Sequence, residues 1–372
     1  MRLKKVFEIR MKDGAFMSYK LWCGLRIILA AIISMAWLGC SFLRPQPVDA
    51  QIVKPQKEPR IALVNIEVSL PDQKKATLGA ELWAPPRGIY GVFPKTVVIF
   101  VPGSGMVSRR ARQTGNGIET YLSPVDINTQ WANALAQEGY WSLAYDKRSC
   151  GPAHEDICRN NPLSDFNVEG PKALARDVDA ACAYAQNRLG EGVRIVLWTS
   201  EQGAQVVLSS TCLTRASALV LVTPIPYRID EFWVEGLFHA SHTAREPVVR
   251  NSLVQKARNL KATFESIQKG QFAPDAKVMG ATLPFWREWI ILTKQTNVLL
   301  GKAQQPVLFI LGDDDAFYDE KAKNALKKLA NSPNRQLVKL PGVDHNLLKE
   351  GVLSKETQDT VLGALVRSLK RD

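Results

Sequence analysis

Residues 96–105 read TVVIFVPGSG, and this stretch decides the fold. The first six residues are nearly all apolar, and Pro102 ends the run because proline has no backbone N–H to donate. A strand that is apolar on both sides is typical of a parallel sheet covered by helices on both faces. Residues 96–101 are therefore predicted to form a buried strand that leads into a glycine-containing loop.

Helical and strand-like segments alternate along the chain on either side of this strand. Residues 60–68 alternate with a period of two, and residues 76–83 supply a partner strand before Pro85 and Pro86. The patterns predict helices at 129–138, 173–189, 202–213, 319–329 and 355–369, and further strands at 140–145, 194–198, 218–222, 307–311 and 336–340. This order predicts an α/β fold with a mostly parallel sheet flanked by helices.

The alternation is interrupted after Pro224 by a helical, aromatic-rich insertion at about residues 225–303. Open α/β sheets bind ligands beyond the carboxyl ends of their strands, so the insertion is predicted to be a helical cap over that edge. Its aromatic residues are expected to form mainly the core of the cap. Trp286 and Trp289 are the two that we predict to contact a substrate.

Three polar residues follow predicted strands in the order Ser200, Asp315, His345. A serine hydroxyl is a weak nucleophile until a base removes its proton. His345 is the predicted base, and Asp315 would hold its tautomer and stabilise the imidazolium. Each residue also has a plainer interpretation, since Ser200 could cap a helix and Asp315 could be a solvated loop acid that Asp313 or Asp314 replaces.

The loop after the first strand is the predicted oxyanion hole. Backbone N–H groups of Ser104 or Gly105 would act together with the N–H of Glu201. Donors of this kind contribute roughly 3–4 kcal/mol each at the transition state.

These motifs together resemble the α/β-hydrolase superfamily, near exported bacterial esterases and serine aminopeptidase-like hydrolases. The resemblance spans about residues 60–370 and rests on five segments. They are VIFVPGSG at 98–105, YDKRSCG at 145–151, VLWTSEQGA at 196–204, PVLFILGDDD at 306–315 and LPGVDHNLL at 340–348. The resemblance implies an α/β-hydrolase fold, hydrolysis of an ester, thioester or amide through an acyl-enzyme, and no cofactor.

The segment around Ser200 departs from the G-x-S-x-G motif of that superfamily, in which small residues permit a tight strand-to-helix turn. Trp198 and Gln202 stand at the two glycine positions, and Gly203 comes one place late. This departure motivates an alternative, namely a catalytically impaired protein that uses the fold for binding. An acyltransferase or a peptidase is a third alternative.

The N-terminus has the pattern of an export signal. Residues 1–40 combine a basic segment with an apolar run at 27–38, which is shorter than the ~20 residues of a membrane span. The end of this segment resembles a lipobox with Cys40 as the lipidated residue. Alternatives are cleavage before Gln51 and an uncleaved anchor. Residues 41–58 are predicted to be a tether and residues 59–372 the folded domain, in the periplasm or on a membrane.

The other four cysteines are Cys150, Cys158, Cys182 and Cys212, an even number that suits pairing in an oxidising compartment. Cys150 and Cys158 share one predicted loop and are the expected disulfide. Cys182 and Cys212 lie on predicted helices, where a second disulfide and two buried thiols are both compatible with the pattern.

The charge of the chain is +12, of which +5 lies in residues 1–40. Its basic residues form no run with interleaved aromatics, so no nucleic-acid partner is predicted. His239 and His242 are three apart but lack a third ligand, and no metal site is predicted. The expected partners are a small-molecule or peptide acyl substrate and, through the N-terminal lipid or anchor, a membrane.

Overall fold

The computed structural model describes residues 58–370, apart from 71–74, 94, 106, 111–125, 149–169, 274–275 and 279–280. The predicted signal segment, the tether, the lipidated Cys40 and the Cys150–Cys158 disulfide lie outside these residues. The bounds of the domain and of the cap also remain predictions.

An eight-stranded sheet forms the centre of the fold. Its strands are β1 (Arg60–Ser69), β2 (Lys75–Ala84), β3 (Thr96–Val101), β4 (Trp141–Tyr145), β5 (Arg194–Ser200), β6 (Ala216–Val222), β9 (Val307–Gly312) and β10 (Arg335–Leu340). They lie in the order β1-β2-β4-β3-β5-β6-β9-β10. Strand β2 pairs antiparallel with both neighbours, and all the other pairs are parallel. This architecture is the mostly parallel sheet that the sequence predicts.

Helices cover both faces of the sheet. They are α1 (Ile127–Gln137), α2 (Pro171–Leu189), α3 (Gly203–Leu208), α4 (Ile229–Thr243), α5 (Pro247–Gln268), α6 (Leu283–Lys294), α7 (Thr296–Leu300), α8 (Glu320–Leu329) and α9 (Lys355–Leu369). Side chains of α1 and α9 belong to one core cluster, and those of α2, α3 and α8 belong to the other. None of the helices among the described residues combines the length and the apolar character needed to cross a membrane.

The burial of strand β3 on both faces explains why its sequence is nearly all apolar. Val97, Ile99 and Val101 belong to one core cluster, whereas Val98 and Phe100 belong to the other. Successive side chains of a strand point to opposite faces, so a strand that is covered on both faces has no solvated position.

The order of the central strands fixes where a site can form. The chain runs from β3 to β4 on one side of β3, and then crosses to β5 on its other side. The loops after β3 and β5 therefore lie next to each other at a topological switch point, which is where open α/β sheets bind ligands. The loops after β9 and β10 open at the same edge of the sheet.

The segment between β6 and β9 contains α4 to α7 and the short hairpin β7 (Lys277–Val278) and β8 (Ala281–Thr282). Its buried aromatic side chains belong to the same core cluster as one face of the sheet. They are Phe232, Phe264, Phe285, Trp286 and Trp289. The insertion is helical, as predicted, and it packs continuously with the main core.

A disulfide joins Cys182 of α2 to Cys212, which lies in the 3₁₀ helix Thr211–Arg215. The sequence left these two cysteines open between a disulfide and free thiols, and the structure pairs them. The predicted helix at 202–213 is divided here, because α3 ends at Leu208 and the 3₁₀ helix follows. Ser210 between them donates its hydroxyl to the carbonyl of Val207, and such local bonds compete with a helix.

Candidate active site

Asp315 and His345 meet at the carboxyl edge of the sheet. Asp315 follows β9, and its Oδ2 lies 2.7 Å from Nδ1 of His345, which follows β10. The Asp315 carboxylate is held in place because its Oδ1 also accepts the backbone N–H of Phe317 at 2.9 Å. Asp313 and Asp314 are exposed, so Asp315 is the acid that the structure brings to His345.

The turn between β5 and α3 places Glu201, and not Ser200, opposite His345. Ser200 is still paired with Val222 in the sheet, whereas Glu201 has a φ of +46° and α3 begins at Gly203. A non-glycine residue at positive φ is strained by roughly 1–2 kcal/mol and marks the tight point of the turn. Oε1 of Glu201 lies 2.8 Å from Nε2 of His345.

Close packing explains why the turn lies one residue later than the sequence predicts. A Cβ on Gly203 would stand 1.7 Å from Oγ1 of Thr199 and 3.0 Å from the carbonyl oxygen of Pro102. Gly203 is therefore the small residue that this turn requires, two places after Glu201. Trp198 lies before the turn, buried in the sheet between the rings of Phe100 and Trp131.

Ser200, the predicted nucleophile, has no hydrogen bond with His345 among the described residues. Both ring nitrogens of His345 are occupied by the carboxylates of Asp315 and Glu201. The loop after β3 runs directly over Ser200, since a Cβ on Gly103 would lie 2.6 Å from its Oγ. The structure thus brings together two of the three predicted triad residues and adds Glu201 in the third place.

The backbone N–H groups of Ser104, Glu201 and Gln202, around the predicted oxyanion hole, each have a partner in the structure. The N–H of Glu201 donates to the carbonyl of Val222 at 3.2 Å, so the sheet already uses that donor. The N–H of Ser104 lies 3.3 Å from Oε2 of Glu201, and the N–H of Gln202 lies 3.4 Å from Oγ of Ser104. The Ser104 N–H thus faces the Glu201 carboxylate, the Gln202 N–H faces the Ser104 hydroxyl, and the carbonyl of Gly105 accepts from Lys147.

The charges of the site are strongly coupled. Burial by itself would lower the pKa of His345, but the charges and hydrogen bonds of Asp315 and Glu201 raise it well above 6.5. Burial would likewise raise the pKa of Glu201, but His345 and the hydrogen bonds of Ser104 lower it to about 2. Both shifts favour the ionised pair of a His345 imidazolium and a Glu201 carboxylate over its neutral form.

Trp286 and Trp289, predicted to contact a substrate, are 4% and 1% exposed. Trp286 donates its indole N–H to the carbonyl of Val278, and the two rings stack on each other. Because they have almost no accessible surface, these two side chains cannot contact a ligand in this structure. Both are core residues of the insertion.

The sequence analysis missed the roles of the Glu201 carboxylate, the Gln202 N–H and Lys147. The position of Gly203, two residues after Glu201, was the sequence signal that could have indicated the roles of the Glu201 carboxylate and the Gln202 N–H. Lys147 lies in the YDKRSCG segment but matches no motif, and only the structure shows its contacts. No group of three or more His, Cys, Asp or Glu side chains in the described part of the chain could hold a metal ion.

A strained strand-to-helix turn that faces a histidine–aspartate pair is the arrangement expected of an α/β-hydrolase. The family model of serine aminopeptidases, S33, matches residues 126–351, more than half of the chain. The chain belongs to the serine aminopeptidase family, S33. It is therefore an enzyme of the serine hydrolase class and an α/β-hydrolase, and the predicted family resemblance is confirmed.

Two solved structures show the same fold as this serine aminopeptidase family member. A soluble variant of monoglyceride lipase from Saccharomyces cerevisiae, in complex with a substrate analogue, has a TM-score of 0.51 at 15% identity, over 88% of this chain and 99% of the lipase. DcsB, in complex with its substrate analogue, has a TM-score of 0.50 at 15% identity, over 83% and 99%. No curated protein sequence gave a match. At these identities the similarity establishes the fold alone.

Proposed function

We propose that this member of a serine hydrolase family uses the carboxylate of Glu201 in place of the serine nucleophile, and that it hydrolyses its substrate through an ester formed on that carboxylate. The observation that carries the proposal is the position of Glu201 at the strained turn, with one oxygen at His345 and the other at the Ser104 N–H. Carboxylates of Asp and Glu are established covalent nucleophiles in enzymes. Glu201, with a pKa lowered to about 2, is ionised and ready to attack at any physiological pH.

In the first step, Oε1 of Glu201 forms a bond to an electrophilic carbon of the substrate, and the leaving group departs with the bonding electrons. The carboxylate becomes a neutral ester, so His345 loses one of the two charges that raise its pKa. Its imidazolium then gives up a proton to the leaving group or to solvent. The neutral His345, still oriented by Asp315, becomes the base for the second step.

In the second step, a water molecule gives a proton to Nε2 of His345 and attacks Cδ of Glu201. The negative charge develops on Oε2, which lies 3.3 Å from the Ser104 N–H. The proposed second donor is the Gln202 N–H, which donates to Oγ of Ser104 in the free enzyme. The tetrahedral intermediate collapses, and the former Oε1 of Glu201 leaves with the substrate carbon and takes the proton from His345 to form an alcohol. The new carboxyl group then gives the second proton of the water to His345, which restores the carboxylate and the imidazolium. The two N–H groups thus stabilise hydrolysis of an ester of the enzyme itself.

This chemistry favours a small molecule with a saturated carbon that bears a leaving group. When a carboxylate attacks an ordinary ester or amide, the tetrahedral intermediate expels the weaker base, which is the carboxylate. The reaction then returns to the starting materials. A saturated carbon has no such return path, because the leaving group departs as the new bond forms.

Family membership favours a second candidate, which is the acyl-enzyme mechanism predicted from the sequence. Ser200 would attack an acyl ester, thioester or amide, His345 would accept its proton, and Asp315 would orient the imidazole. This candidate requires Glu201 to leave His345 so that the Ser200 hydroxyl can take its place. The non-catalytic alternative is not favoured by the family.

Fluorophosphonate labelling and isotope incorporation distinguish these candidates. A Ser200 nucleophile predicts labelling of the wild type that disappears in Ser200→Ala. A Glu201 nucleophile predicts no labelling, and turnover of an alkyl halide in ¹⁸O-enriched water places the heavy isotope in the carboxylate of Glu201. Trapping of an alkyl adduct in His345→Gln, absent from the Glu201→Gln, His345→Gln double variant, would identify the same residue. A binding protein would show none of these results.

We also propose that the protein is exported and anchored at a membrane. The N-terminal pattern supports export, and the Cys182–Cys212 disulfide is of a kind that persists in oxidising compartments. The mass of the mature N-terminus tests this. A diacylated Cys40 supports the lipoprotein, an N-terminal Gln51 supports ordinary cleavage, and an intact Met1 supports an uncleaved anchor.

A further inference from the structure

Lys147 is a buried lysine on the floor of the site. It follows β4 by two residues, is 3% exposed, and its backbone N–H donates to the carbonyl of Val107. A buried ammonium is costly unless its donors are satisfied, and burial lowers the pKa of Lys147 to about 7, against the charges of Glu201 and Asp177. Neither mechanism above uses this residue.

The amine of Lys147 reaches both segments that supply the oxyanion hole. Nζ donates to the carbonyl oxygens of Gly103 at 2.7 Å and Gly105 at 2.9 Å, on the loop after β3. It also donates to Oε1 of Gln202 at 3.1 Å, on the turn after β5. Three hydrogen bonds match the three donors of an ammonium group.

The bond to Gly103 fixes the direction of the neighbouring N–H. The carbonyl of Gly103 and the N–H of Ser104 belong to one peptide group, and none of the described peptide bonds is cis. In a trans peptide the C=O and the N–H point in opposite directions. A carbonyl held towards Lys147 therefore directs the Ser104 N–H towards Oε2 of Glu201, where it is found.

The neighbouring carboxylates already have other partners. Asp146 binds the backbone and the guanidinium of Arg109, and Asp177 pairs with Arg148. The side chain of Lys147 is thus directed at neutral carbonyl and amide oxygens of the loop and the turn. A hydrogen bond accepted by these carbonyl groups also polarises their peptide units, which strengthens the neighbouring N–H groups as donors.

We propose that Lys147 is a positioning residue of the oxyanion hole, which clamps the loop after β3 to the turn after β5 so that the N–H groups of Ser104 and Gln202 face the reacting carboxyl group. The proposal rests on the proposed function for what these groups stabilise. The clamp does not depend on whether Glu201 or Ser200 is the nucleophile, because the Ser104 N–H belongs to the oxyanion hole in both mechanisms.

The test compares Lys147→Met with Lys339→Met, the same change at an exposed position of β10. Hydrogen exchange of peptides covering residues 102–106 reports the clamp without any need for turnover. We expect exchange at least tenfold faster in Lys147→Met only. We also expect kcat to fall by about 10- to 100-fold while KM stays within about twofold, because the lost stabilisation belongs to the transition state.

Unchanged exchange, or a rise of KM with an unchanged kcat, would overturn the proposal. If the wild type turns over no substrate, the proposed function fails, and the exchange result still decides whether Lys147 holds the loop. If Lys147→Met does not fold, Gln202→Met removes one of the three acceptors and leaves the buried charge in place. It is expected to lower kcat by about threefold to tenfold, and an unchanged kcat would count against the clamp.

Discussion

The carboxylate of Glu201 lies 2.8 Å from Nε2 of His345, at the one point where the chain turns from β5 into α3 with a positive φ. In a serine hydrolase that position belongs to the hydroxyl that attacks the substrate. The contact replaces a neutral hydroxyl–imidazole pair by an ion pair, and it changes both the protonation state of the histidine and the chemistry that the site favours.

Glu201→Ser is expected to turn the site into an ordinary serine triad. A serine at the strained turn places its hydroxyl near His345, where the Glu201 oxygen now lies, with Asp315 behind the imidazole. Fluorophosphonate labelling should therefore be at least about tenfold faster in Glu201→Ser than in the wild type. Glu201→Ala, which removes the carboxylate without adding a hydroxyl, is the control. Equal labelling of the two variants would show that the turn does not position a nucleophile.

His345 is expected to remain protonated above pH 7 in the free enzyme. The charges of Asp315 and Glu201 raise its pKa well above 6.5, so the stability that follows from this raised pKa is fully present below the ordinary pKa of histidine. That contribution is lost as the pH rises through the raised pKa. NMR titration of the imidazole measures this raised pKa directly.

Glu201→Gln should lower the pKa of His345, because one of its two carboxylate partners loses its charge. Ser200→Ala is the matched control, since it changes a neighbouring side chain and keeps both carboxylates. If the two variants titrate alike, the contact between Glu201 and His345 does not exist in solution.

Much of the fold could be predicted from periodicity alone, while the apex of the turn after β5 was predicted one residue too early. The apolar run at 96–101 predicted a doubly covered strand because both faces of β3 are buried. The local sequence after β5 does not by itself decide whether Ser200 or Glu201 is the apex of the turn. What decides is a tertiary contact, the packing of Gly203 against Thr199 and Pro102. Lys147 was missed for the same reason, since its acceptors are distant in sequence.

Asp315→Asn should impair turnover by about 10³- to 10⁴-fold with little change in KM. The amide still accepts the N–H of Phe317 through its oxygen, so the loop after β9 should keep its form. It lacks the charge that orients and stabilises the imidazolium. Steady-state kinetics measures the loss, and circular dichroism establishes that the variant is folded. Asp314→Asn, at an exposed position, should retain full activity.

Removal of the Cys182–Cys212 disulfide should destabilise the fold. The bond closes a loop of 30 residues, for which the loop-entropy model gives about 3–4 kcal/mol. The Cys182→Ala, Cys212→Ala double variant should lose this amount in urea denaturation under oxidising conditions. In the presence of a reductant the variant and the wild type should differ far less. A variant as stable as the oxidised wild type would show that the bond does not contribute to stability.

Gly312 is the position where a single added methyl group should separate Asp315 from His345. A Cβ there would lie 2.1 Å from the carbonyl oxygen of Val343 and 2.5 Å from that of Asp344, both on the loop that carries His345. Backbone cannot move aside as a flexible side chain can. Gly312→Ala should therefore displace the loop, cost about 1–3 kcal/mol of stability and lower turnover by about 100-fold.

Gly363→Ala is the control, because its Cβ would meet only the mobile end of Arg367 at 3.3 Å within α9. That variant should gain up to about 1 kcal/mol of stability and keep full activity. If Gly312→Ala behaves like Gly363→Ala, the loop after β10 is not held against β9 as closely as the structure indicates.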